Sequence, residues 1–433
     1  MITVVVIFVV ILGILVFVHE LGHFLMARRS GIRAQEFGFG LPPRIFGIQF
    51  VSGEKLEKIS EQRSLKVEIS DSQNAGEPEI IKEVITEKTQ EIDRIKSVRK
   101  WRFIWGRYDG DDAEEKTDLK EARDNRFAGG TVYSLNWIPI GGFVRIKGED
   151  GESRDADSFA IKPAWTRIKV LGAGVVMNFI FAWIVLSLVF WAGVPEAVNP
   201  EDDLSQGKIQ ISEVAAKSPA ENSGLKIGDE IARIQNGLEF RSVKSVQDYI
   251  NANRGHEISL KIIRGKEIIE FKAVPREEIP NSEGALGVGL VQTTAVHYPW
   301  YAAIWKGLQA VYDLTVTIIW GIFGMFKSLI LGEGAKIEVA GPVGIAFLTK
   351  QVASLGMIYV LQFAAILSIN LGIINALPIP ALDGGRILFI LIEKIRRRPI
   401  SQKTEQLFHT AGFAFLIGLM ILITFRDVMK FFG

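Results

Sequence analysis

The chain has 433 residues, enough for several domains or for a membrane bundle carrying a soluble module. Its 50 basic and 49 acidic residues leave a formal charge of +1, so no global field attracts nucleic acid, and none is expected as a partner. Cysteine is absent, which excludes disulfides and thiolate metal sites and leaves His, Asp and Glu as the ligand pool; the only histidines are His19, His23, His256, His297 and His409.

Ile2–Val18 carries no charge, and continued through Ala27 it exceeds the roughly 20 residues that cross a bilayer core. It lacks a basic start and a small-residue cleavage site, so residues 1–30 read as a retained span. Arg28, Arg29 and Arg33 follow, which puts this end in the cytoplasm and the N-terminus outside. Residues 31–50 and 131–150 read as extended, Gly-rich segments. Between them, residues 51–130 form a charge-dense insertion, either a small subdomain or a solvated loop. A second span covers 168–194, with basic residues before it and acidic ones after. Residues 196–290 alternate in short runs punctuated by Gly and Pro, as in a compact α+β domain.

Trp300–Leu331 is apolar but interrupted by Lys306, Asp313 and Lys327. If it crossed the membrane, the basic cluster from Arg386 to Lys403 would lie outside, against the positive-inside rule. Residues 300–354 therefore read as interfacial amphipathic helices. A clean span with the motif that follows it covers 355–385, and the last span covers 405–427. The expectation is a multi-pass α-helical membrane protein with four transmembrane helices and both termini outside.

Chemistry enters at His19-Glu20-Leu21-Gly22-His23. The two histidines stand at i and i+4, on one helix face, and can share a metal. Glu20 beside them can act as general base toward a water, and two imidazoles favour Zn²⁺. Ionisable groups in a span cost about 2.5–3.5 kcal/mol each on insertion scales, so such a cluster is functional by default. A catalytic zinc needs a third protein ligand. His256 and His297 belong to the outside region and His409 to the last span; Asp383, in Asn375-Ala-Leu-Pro-Ile-Pro-Ala-Leu-Asp-Gly-Gly385, lies at the same membrane face as His19 and His23.

With the paired histidines, the Asn-x-x-Pro-x-Pro-x-Leu-Asp-Gly motif and the module between them in this order, the chain resembles the site-2 protease family of intramembrane zinc metalloproteases. The likeness is to its bacterial PDZ-containing, regulator of sigma-E protease type. The resemblance implies His19, His23 and Asp383 as zinc ligands and Glu20 as catalytic base. It implies a membrane-associated β-loop at Pro139-Ile-Gly-Gly-Phe-Val144, with Gly141, Gly142 and Phe143 beside an unwound substrate. Asn178, Asn370 and Asn375 resemble residues the family uses to hold substrate or shape the site; each also has a simple reading as a helix-packing hydrogen bond. Ser218-Pro-Ala-Glu-Asn-Ser-Gly-Leu-Lys-Ile-Gly-Asp-Glu-Ile231 resembles a PDZ signature, so 196–290 becomes an inserted PDZ-like domain. Leu286, Gly287, Val288 and Gly289 are then its loop for peptide C-termini. The implied activity is cleavage within the transmembrane segment of pre-trimmed single-pass proteins, such as an anti-sigma factor or a signal-peptide remnant. The implied location is the bacterial cytoplasmic (inner) membrane, with the PDZ-like domain extracytoplasmic.

Overall fold

The unbroken apolar run at the start of the chain forms one helix, α1 (Ile2–Arg29), in the computed structural model. The model describes residues 2–67, 84–106, 127–128, 130–149, 155–197, 207–215, 218–232, 234–235, 238–265, 267–278, 284–331, 340–398 and 400–432. After α1 the chain enters a β-sheet built from β1 (Ala34–Val67), β2 (Val84–Trp105), β3 (Phe127–Ala128) and β4 (Val132–Ile146). Two of these strands fold back on themselves. Phe37 pairs with both Val144 and Tyr133, and Tyr133 pairs with both Phe37 and Ile48. The lateral order is therefore 142–146, 34–39, 132–136, 44–50 and 101–105. Gly40 and Gly141, with φ of 83° and 81°, supply the left-handed backbone at the two bends.

Cross-strand register decides what each face carries. Val144, Phe37, Tyr133, Ile48 and Phe103 stand opposite one another in one row, and Gly142, Phe39, Leu135, Phe46 and Trp105 in the next. This aromatic face lies against α1, where Phe37 stacks on Phe24 with ring centroids 4.7 Å apart. The opposite face is polar and holds a buried Glu36–Arg44 ion pair, 2.7 Å between Oε2 and Nη2. The described parts of the expected 51–130 insertion extend the β1–β2 ribbon, with pairing as far as Val67 and Val84.

Helix α2 (Ala164–Ala192) packs antiparallel to α1: Val170 meets His23, and Asn178 meets His19. Strand β5 (Val194–Ala197) then opens a second domain. It continues with β6 (Lys208–Val214), α3 (Pro219–Asn222), β7 (Glu230–Ile231), β8 (Ile234–Gln235) and β9 (Leu238–Glu239). Helix α4 (Val243–Ala252), β10 (Ile258–Arg264), β11 (Glu267–Ala273) and β12 (Val288–Val296) complete it. The main sheet runs β11–β10–β7–β6–β12–β5, and Ile211, Ile231, Val246, Leu260, Phe271 and Leu286 fill its core. Strands β5 and β12 pair, so the domain's entry and exit are zipped together at the end of α2. Asp229, almost fully buried, accepts the Lys226 N–H and two guanidinium bonds from Arg264; those bonds hold Arg264 above its ordinary pKa.

Beyond it lie α5 (Trp300–Ile330), α6 (Pro342–Leu355), α7 (Met357–Ala376), α8 (Asp383–Arg396) and α9 (Gln402–Phe432). Helix α7 completes the bundle: Ala364 joins a cluster with Ile11 and Leu15 of α1, and the Ser368 hydroxyl donates to the Asn178 carbonyl of α2. Asp427 of α9 accepts the N–H groups of Gly341 and Gly344, capping α6. Five helices among the described residues are long and apolar enough to cross a membrane, at Val4–Arg29, Ala164–Ala192, Trp300–Ser328, Met357–Ala376 and Lys403–Met429. The count differs from the four expected because α5 is one unbroken helix, packed against the α2 core through Val311, Leu314 and Ile318. Its three charges are spaced so that an 18-residue window contains no more than two. Two other expected elements, 1–30 and 168–194, coincide with α1 and α2 within a few residues.

Asp229→Ala is expected to destabilise the 207–296 domain by about 2–3 kcal/mol, since it strands Arg264 and the Lys226 N–H. Hydrogen exchange of β7 and β10 amides in the full chain measures this as faster local opening.

Candidate metal centre

His19 and His23 project from one face of α1 toward α2, both buried. Two glycines make room for them. A Cβ on Gly174 of α2 would press into both imidazole rings, and one on Gly22 would strike the Ala173 carbonyl. The His23 Nδ1–H donates to the Val170 carbonyl at 2.9 Å, leaving its Nε2 lone pair free. His19 Nδ1 faces the fully buried Asn178 amide at 3.1 Å. With the amide turned to offer Oδ1, it accepts Nδ1–H and frees His19 Nε2 in the same way.

Asp383 arrives from the first turn of α8. Its Oδ2 lies 2.9 Å from His19 Nε2 and 3.3 Å from His23 Nε2, while the two Nε2 atoms are 3.2 Å apart. The three residues form a group whose ligand atoms all lie within 4.8 Å of one another. Ligands bound tetrahedrally at 2.0–2.1 Å stand roughly 3.3 Å apart, so two aimed imidazoles and one carboxylate fit Zn²⁺ in both chemistry and spacing. Glu20, half-buried beside them, accepts the backbone N–H of Val144 at 3.2 Å. The sheet edge 142–146 is thereby docked on the centre.

A short loop aims Asp383. Leu377–Leu382 follows α7, and Gly384 and Gly385 pack so closely on the carbonyls of Ala376, Leu377 and Ile379 that neither has space for a Cβ. Ala381 adopts φ 75°, a strained conformation for a residue with a side chain, and its N–H donates to His409 Nδ1 at 2.9 Å. The backbone of Gly412 packs on Pro380 in the same loop. Arg386 pairs with Glu149, tying α8 to the end of β4. His409 is thus a support for the Asp383 loop, a role that a lone His at the start of a span does not advertise.

The remaining sequence-expected residues divide. Gly141 and Gly142 lie on Val16 and Phe17 of α1, and Phe143 lies on the polar face against Gly38. Asn375 Nδ2 is 3.5 Å from His19 Nε2, at the rim of the centre. Asn370 instead donates to Ile366 O of its own helix. Leu286, Gly287, Val288 and Gly289 are in the second domain: Leu286 is in its core, Gly287 turns at φ 76°, and Val288 and Gly289 pair with β6. Sequence reasoning misses the Val170 carbonyl, the Val144 N–H and the Glu149–Arg386 pair, because backbone groups and long-range partners leave no local pattern.

Gly174→Val is expected to weaken zinc binding at least 10-fold by displacing both rings, as equilibrium dialysis against a chelator would register. His409→Ala is expected to weaken zinc retention about 10-fold, and His409→Asn, which keeps an acceptor near Nδ1, to restore most of it in the same assay.

Comparison with known proteins gives the family. The family model described as Peptidase family M50 matches residues 7–57 and 123–419. The Regulator of sigma-W protease RasP of Bacillus subtilis (strain 168) is 30% identical over 442 residues, covering 98% of each chain. The zinc metalloprotease RasP of Bacillus licheniformis is 32% identical over 442 residues, again 98% of each. That of Geobacillus kaustophilus (strain HTA426) is 30% identical over 451 residues, 98% of this chain and 97% of the relative. With its apolar helices and its His–His–Asp centre, the chain belongs to peptidase family M50, the site-2 proteases, and is a bacterial membrane zinc metalloprotease.

Proposed function

We propose that this protease hydrolyses peptide bonds within the transmembrane segments of pre-trimmed single-pass membrane proteins. His19, His23 and Asp383 would hold the metal, and Glu20 would be the base. The observation that carries the reading is the convergence of three ligand atoms within 4.8 Å, with Glu20 adjacent, among apolar helices. Bound there, Zn²⁺ supplies Lewis acidity that polarises a carbonyl and lowers the pKa of water to about 7. Glu20 takes the proton of the attacking water and returns it to the leaving amine nitrogen. The Val144 N–H orients the Glu20 carboxylate for both transfers. Asn178 and the Val170 carbonyl keep the imidazoles in the tautomer that points a lone pair at the metal.

A helical substrate hides its peptide bonds, so it must unwind first. The edge 142–146 turns the Val144 N–H away from 34–39 and toward Glu20. An extended substrate segment pairing on this edge lies across the centre, with Gly141, Gly142 and Phe143 beside it. Asn375 at the rim is positioned to hold substrate backbone.

The second domain acts as a PDZ-like peptide reader and filter outside the membrane. Supporting this, among the described residues β5 pairs residues 293–296 of β12 and leaves the edge of 288–292 open on that side, next to the α4 region where Gln292 donates to Arg241 O. Leu286–Gly289 lead into that edge, the place for a peptide C-terminus. Helix directions support the expected topology. Helices α1 and α7 run the same way and end at one centre, and the basic residues Arg28, Arg29, Lys394 and Arg396 share that side. With that side cytoplasmic, both termini and the PDZ-like domain are extracytoplasmic. Between Ala192 and Met357 the chain then makes an even number of crossings. The name of the Bacillus subtilis relative, a regulator of sigma-W protease, favours an anti-sigma factor as substrate here.

The test uses the full chain in proteoliposomes with a single-pass substrate bearing a short outside stub. The native enzyme is expected to cut within the membrane segment. Glu20→Gln is expected to be about 10²–10⁴-fold slower while retaining zinc. Equal cleavage by the two proteins would sink the mechanism. A bulky folded domain on the outside stub is expected to suppress cleavage by the native enzyme.

A further inference from the structure

One face of the β-sheet is longer than the helix that covers it. Its inner part is buried on α1 through Phe37 and Phe24. Its outer part is exposed. Trp101, Phe103 and Trp105 alternate along β2, share that face, and are 63%, 63% and 73% accessible. Phe50 meets the Trp101 ring at 3.6 Å between centroids and Phe46 meets Trp105 at 6.0 Å, so the five rings form one ribbon.

We propose that this ribbon lies on the cytoplasmic leaflet of the bilayer, with its aromatic face in the headgroup–acyl boundary. Three observations select a lipid surface over other occupants. The first is continuity. The Phe103 row runs through Ile48, Tyr133 and Phe37 to Val144, whose N–H reaches Glu20 in α1. The face therefore begins on a spanning helix, about 13 Å before its basic end at Arg29. The second is chemistry. Large amphipathic aromatics gather at membrane interfaces, and Trp101, Trp105 and Tyr133 all stand on this face. The third is position. The ribbon is the sheet edge opposite to 142–146, four segments from the substrate-pairing edge. At the boundary, water and headgroups satisfy the open backbone edge of β2, which hydrocarbon would not. The attachment sets the tilt of the sheet, and with it the approach of Val144 to Glu20.

The native chain has no cysteine, so a single introduced thiol labels cleanly. Phe103→Cys and Arg102→Cys are each labelled with an environment-sensitive fluorophore, checked for retained cleavage, and reconstituted in vesicles containing phosphatidylglycerol. Nitroxide on the lipid near the headgroup is expected to quench the 103 label several-fold more than the 102 label, which faces the opposite side. Equal quenching at 102 and 103, or shielding at 103 that depends on protein concentration and not on lipid, overturns the proposal.

Discussion

Two imidazoles and a carboxylate meet inside a bundle of apolar helices, and the rest of the molecule is arranged around that contact. Each group alone would be costly there; together, with a metal, they satisfy one another. The requirement propagates outward. Helix α2 passes close enough to position the rings only because residue 174 is glycine. Helix α8 starts where it does because Gly384 and Gly385 let the chain turn tightly on the end of α7. The strain at Ala381 is held by a hydrogen bond from a third direction, His409 of α9. Three helices, α7, α8 and α9, thus meet at one short loop that aims Asp383.

The sheet and the second domain extend this frame to either side. Through Val144 and Glu20 the sheet edge is registered to the centre, so a strand added there is delivered at hydrogen-bond precision. On the other side, β5 and β12 fix the second domain to the end of α2, and Leu355 at the end of α6 packs on Gly228 of that domain. Helix α7 begins directly after this contact and leads to Asn375 and Asp383. The second domain and the metal centre are therefore joined by one continuous packed path, although they occupy opposite ends of the bundle.

Much of this was legible before any coordinates. Spacing at i and i+4 put His19 and His23 on one face, and flanking charge put Asp383 on their side, because both signals are local. Asn178 marked a polar need within a span. Other features were not legible. Helix α5 reads as interfacial from the positive-inside rule, whereas the structure shows one continuous apolar helix packed against α2. The folding back of β1 and β4 is a matter of register between segments about 95 residues apart. Asn370 and Asn178 look alike in sequence; only the direction of the helix face sends one to its own backbone and the other to His19.

The central claim is that Asp383, brought from 364 residues away, completes the ligand set begun by His19 and His23. X-ray absorption at the zinc edge of the full chain in lipid tests it most directly. The expected first shell holds two imidazole nitrogens and carboxylate oxygen at about 2.0–2.1 Å. Asp383→Ala is expected to lose the metal or to change that shell while both imidazoles remain. Three imidazoles in the native shell, or an identical spectrum with full zinc content in Asp383→Ala, would contradict it.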